Sequence, residues 1–64
     1  MKDINSCYKV IYKTHPLDAE SIARRWGYPG FRTYTVDLIK KNSYPVEVIE
    51  SIMALQELHE QTFE

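Results

Sequence analysis

Arg32-Thr33-Tyr34-Thr35-Val36-Asp37-Leu38-Ile39-Lys40-Lys41 is the stretch whose conformation decides the fold of this chain. Its first half, Arg32 to Val36, is crowded with β-branched and aromatic side chains, a composition that suits a strand. Its second half has helical spacing between Val36 and Ile39 and closes on two lysines, which suit the negative end of a helix. The helical signal takes precedence here, so the reading predicts a helix from about Thr33 to Lys41. The expected fold is then an all-α domain of three to four helices. The alternative is an α+β domain with a short hairpin around residues 28–36.

The flanking sequence fits that helix. Tyr28-Pro29-Gly30-Phe31 has Pro second and Gly third, the pattern of a type II turn. Before it, Pro16 to Trp26 reads as a helix: Pro16 suits the first turn, Asp18 and Glu20 the positive end, and Arg24 and Arg25 the negative end. Ala19, Ile22, Ala23 and Trp26 form its expected buried stripe, and Gly27 stands where a left-handed residue ends a helix. Further back, residues 3–13 set Ile4, Cys7, Tyr8 and Ile11 on one side and Lys9 and Lys13 opposite, as an amphipathic helix does. Downstream, Asn42-Ser43-Tyr44-Pro45 is a loop, and Pro45 starts a last helix. Val48, Ile49, Ile52, Leu55 and Phe63 line one side of that helix with His59 among them, and Glu50, Glu57 and Glu64 recur every seven residues on the other.

The chain is 64 residues long, which allows one domain and a single core but no deep catalytic cleft. Residues 1–64 are therefore treated as one helical unit. Cys7 is the only cysteine, so no internal disulfide or four-thiolate metal site is possible. His15 and His59 have no recognised metal spacing, and Cys7 on an apolar stripe reads as inert core. Trp26 reads as a core anchor. There is no glycine-rich phosphate loop, no nucleophile with an evident base, and no differentiated carboxylate pair, so neither enzymatic activity nor a cofactor is expected. With no long apolar run and no signal-peptide pattern, the expected setting is cytoplasmic and away from membranes.

Charge is the strongest functional clue. All eight Lys and Arg residues fall within the first 41 positions, against four acids there, a surplus of +4. The remaining 23 positions hold five Glu and no base, giving −5 and the total of −1. One part suits an anionic partner and the other repels it.

The order helix, glycine turn, basic helix is that of a DNA reader. Ala23 and Gly27 have the spacing of a small residue at a helix contact followed by a turn glycine, and Val36 with Ile39 would anchor the second helix. In these features, from about Asp18 to Leu55, the chain resembles the helix-turn-helix of phage regulators of the Cro, CII and lambda-repressor type. The chain departs from that pattern by about three extra residues between Gly27 and Val36, near Pro29-Gly30. The resemblance implies that Arg32, Thr33 and Tyr34 enter the major groove of double-stranded DNA and that Asp37 faces bases from the next turn. It also implies that Arg25, Lys40 and Lys41 meet phosphates. The ordinary reading of Arg24, Arg25, Lys40 and Lys41 is that of solvated helix ends.

Two functions follow as expectations. The first is a sequence-specific transcriptional regulator of phage or mobile-element origin. It would act as a homodimer on two half-sites about one helical turn apart, with Val48, Ile52, Leu55, His59 and Phe63 as its interface. The second is a small adaptor or inhibitor that binds a protein partner through the acidic last helix, that same apolar flank sitting in the partner's groove with the glutamates at its rim.

Overall fold

A computed structural model describes residues 3–63 of the chain, the last of them by its backbone alone. Four helices follow one another: α1, Ile4–Thr14; α2, Pro16–Arg24; α3, Phe31–Lys41; and α4, Val46–Phe63. The deciding stretch is helical, no strand occurs among the described residues, and the hairpin alternative is set aside. None of these helices is long and apolar enough to cross a membrane.

Each helix boundary has a local cause. Asp3 caps α1, its side chain accepting from the Ser6 amide at 2.7 Å. That hydrogen bond holds the Asp3 carboxyl below its ordinary pKa. Ahead of Pro16, His15 is kept out of the helical region (φ −135°, ψ 65°), which makes the corner between α1 and α2. The corner between α2 and α3 uses two left-handed residues, Gly27 at φ 87° and Gly30 at φ 86°. A Cβ on Gly30 would touch nothing within 4 Å, so backbone conformation alone selects glycine there. At the far end, Asn42 closes α3 twice, its backbone amide and its side-chain amide both donating to the Leu38 carbonyl at 3.0 Å.

α4 is the hub. α1 packs along both α2 and α4, and α3 leans on α4, while α2 and α3 hardly meet. The core comprises Cys7 and Ile11 of α1, Ala19 and Ile22 of α2, Phe31 of α3, Tyr44 of the loop, and Val48, Ile52 and Leu55 of α4. Tyr44 is buried, and its hydroxyl donates to Asp18 Oδ2 at 2.7 Å, tying the last loop to α2. Burial, and then this bond to Asp18, push the Tyr44 phenol well above its ordinary pKa.

α3 starts two residues earlier than its sequence implies, because Phe31 is drawn into the core. Its inner face is Phe31 and Thr35, flanked by the half-buried Leu38 and Ile39. Thr35 resolves the conflict between strand-like composition and helical outcome. Its hydroxyl donates back to the carbonyls of Phe31 and Arg32 at 2.9 and 3.0 Å and accepts from Gln56 Nε2 at 2.8 Å. The first two bonds need a helix at Thr35, and the third needs α4 beside it. Tertiary contact overrides local preference here.

Two sequence expectations are corrected. Ala23 is exposed, not part of the buried stripe of α2, which runs through Ala19 and Ile22. Val36 does not anchor α3. With Phe31 and Thr35 facing inward, Val36 is turned onto the outer flank beside Arg32 and Lys40.

Candidate nucleic-acid interface

The position of α3 is fixed at its N-terminus by an aromatic cluster. Trp26 stands edge-on to Phe31 (ring centroids 5.3 Å apart) and to His59 (5.1 Å), while His59 stacks flat on Phe31 at 4.4 Å and 10°. His59 Nε2 also accepts from the Gly27 amide at 3.3 Å, so α4 reaches into the turn that launches α3. Farther along, the buried Thr35–Gln56 bond sets how α3 is rotated on α4. These contacts hold the inner face and leave the outer face to solvent.

Two shallow hollows flank that outer face. One lies along α3 and is lined by Arg32, Thr33, Val36, Asp37 and Lys40. The other lies where α2 ends and α3 begins and is lined by Ser21, Arg24, Arg25, Tyr28, Pro29 and Tyr34. In the second, the Arg25 guanidinium lies over the Tyr34 ring, 4.0 Å from its centroid. A stacked guanidinium keeps its N–H edge available to an anion while its plane is held by the ring.

The sequence-predicted groups other than Lys41, which lines neither hollow, are thus divided between the two, and some are already engaged. Arg32 forms an ion pair with Glu60 of α4. Asp37 pairs with Lys41 one turn later, at 3.0 Å. Both pairs are well exposed, and pairs of this kind contribute well under ~1 kcal/mol, so a polyanion can displace them. Thr33 and Lys40 are exposed, Tyr34 is half-buried, and Lys40 and Arg24 have no ion-pair partner among the described residues. Sequence reasoning did not place Arg24, Ser21 and Tyr28 in the site. The adjacent Arg24-Arg25 pair and the exposed Tyr28 at the turn were the signal that could have found them.

The proposed dimer interface is corrected. Val48, Ile52 and Leu55 are each 0% exposed within the chain's own core, so no second chain can reach them. His59 is half-buried in the aromatic cluster, and the side chain of Phe63 lies outside the described residues. The surface that α4 does present is a hollow lined by Glu50, Met53, Ala54 and Glu57. Ala23, which the resemblance would put where two helices touch, faces solvent, and α3 takes its support from α4.

No protein-family model matches the chain, and comparison with curated proteins and with solved structures finds no significant similarity.

Proposed function

We propose that this protein is a small cytoplasmic DNA-binding regulator, of phage or mobile-element character, that sets the outer face of α3 in the major groove of duplex DNA. One observation carries the reading: cations stand on both flanks of α3, Arg24 and Arg25 on one side and Arg32 and Lys40 on the other. Each flank also holds a group suited to a base edge or methyl, Thr33 in one hollow and Tyr34 in the other. Lys40 and Arg24 meet phosphates and set the register. Arg25, steadied on Tyr34, adds a directional contact. Arg32 exchanges the Glu60 carboxylate for a phosphate or for the paired acceptors of guanine. Asp37 is left to accept from a cytosine amino group. Two copies on adjacent half-sites would block or recruit a polymerase by occupying its promoter, with binding and not catalysis as the activity.

The test is fluorescence anisotropy of a labelled random-sequence duplex over a series of salt concentrations. Four released phosphate contacts give a slope of about −3.6 in log affinity against log salt. Arg25→Ala and Lys40→Ala should each weaken binding and reduce that slope by about one. Binding that ignores salt, or that is indifferent to both substitutions, overturns the reading.

A second reading keeps the protein-binding adaptor, and the hollow lined by Glu50, Met53, Ala54 and Glu57 is what favours it. Glu50→Lys with Glu57→Lys separates the two: it spares or strengthens DNA binding but destroys capture by a partner that reads acidic charge.

A further inference from the structure

Two surfaces on opposite ends of the charge distribution have matching layouts. On α1, Asn5, Tyr8, Lys9, Tyr12 and Lys13 line a shallow hollow. On α4, Glu50, Met53, Ala54 and Glu57 line another. Residues 5, 8, 9 and 12 and residues 50, 53, 54 and 57 both follow the spacing i, i+3, i+4, i+7, which brings four side chains into one ridge on a helix surface. Each ridge has an apolar centre, Tyr8 with Tyr12 on α1 and Met53 with Ala54 on α4. Two like charges lie beside each centre, Lys9 and Lys13 on one and Glu50 and Glu57 on the other. Tyr12 and Met53 are 54% and 53% exposed, large apolar groups that the chain leaves uncovered. Lys9, Lys13, Glu50 and Glu57 take part in no ion pair among the described residues.

We infer that these two faces are the halves of one self-association surface, the α1 face of one copy receiving the α4 face of a second copy. The occupant is selected by complementarity. A basic hollow with an aromatic centre needs an acidic helix face with a compact apolar centre, and this chain carries one. Seven residues of helix separate Glu50 from Glu57 by about 10 Å along the axis, at ~1.5 Å per residue. The flexible Lys9 and Lys13 side chains are long enough to meet both carboxylates across the contact. The Met53 thioether would rest against Tyr12, a favourable sulfur–aromatic contact. A helix-on-helix contact of this kind is smaller than the ~1,600 Å² of a standard interface, so association is expected at micromolar concentrations and to weaken with salt. The pairing leaves α3 and its two hollows uncovered and does not depend on the DNA reading.

Sedimentation velocity without DNA tests it. The wild-type chain should show a concentration-dependent increase in mass that salt suppresses. Lys9→Glu with Lys13→Glu, and separately Glu50→Lys with Glu57→Lys, should each remain monomeric at every concentration, with unchanged far-UV circular dichroism. Mixed at equal amounts, the two variants should form a complex, because each supplies a face complementary to one on the other. The chain bearing all four substitutions should self-associate again. A strictly monomeric wild type, variants that still self-associate, or a mixture that forms no complex overturns the inference. None of these outcomes bears on DNA binding, which involves the outer face of α3 and the corner between α2 and α3.

Discussion

α3 and α4 are both amphipathic, yet they divide the work of the fold differently. α4 contributes Val48, Ile52 and Leu55, all fully buried, and every other helix is built against it or against its neighbour. α3 has a single large core residue, Phe31, and completes its inner face with the polar Thr35. A helix held by a continuous apolar stripe is a structural element. A helix held by one buried aromatic at its first turn, one buried hydrogen bond and the half-buried Leu38 and Ile39 keeps its outer face for something else. The difference teaches where to look for function: on the helix whose outer face carries charge that the fold does not need.

The sharpest way to break this comparison is to cut the hub. Ile52→Ala removes a fully buried side chain from the centre of α4 and should cost about 2–5 kcal/mol. For a domain of this size that is most of the total stability. A urea titration followed by circular dichroism should find it largely unfolded, and a loss under ~1 kcal/mol would show that α4 is not the hub.

The support of α3 should be more modest. Thr35→Val keeps the volume but leaves the buried Gln56 amide without its acceptor, at a cost of about 1–3 kcal/mol. Adding Gln56→Leu removes the second partner and should recover much of that loss. A double variant as unstable as the single one would mean that the Thr35–Gln56 bond is not what seats α3.

How much of this was legible in the sequence follows the same division. α4 and the two corners were legible because prolines, glycines and a long apolar period each leave an unambiguous mark. The inner face of α3 was not, because its centre is a threonine and its anchor, Phe31, looks like part of a turn. Periodicity then selected Val36, which points outward. The interface assigned to Val48, Ile52 and Leu55 failed for a different reason. One apolar stripe can be buried only once, and α1 and α3 of the same chain were available to cover it. In the candidate site, Arg25, Arg32, Thr33, Tyr34 and Lys40 do reach the flanks of α3. The pairing of Arg32 with Glu60 is a contact across 28 residues that no local pattern announces.

A smaller effect sharpens the picture of α1. The Tyr8 hydroxyl is buried with no hydrogen-bond partner among the described residues, and burial pushes its pKa up to about 12. A phenol raised above its unfolded value of about 10 favours the folded state while it stays protonated. That advantage is complete below about pH 10 and disappears as the pH rises towards 12. Tyr8→Phe should therefore flatten the alkaline loss of stability, and at neutral pH it should be neutral or slightly stabilising, since no bond is broken. A clear destabilisation at neutral pH would reveal a partner for that hydroxyl.

The most direct test of the central claim is a two-dimensional amide NMR titration of the folded chain with a short duplex at low salt. The account predicts that perturbed amides cluster at Arg24 to Tyr28 and along Arg32 to Lys41, while Glu50 to Glu57 stay unmoved. Perturbations confined to α4, or none at all with DNA in excess, would contradict it.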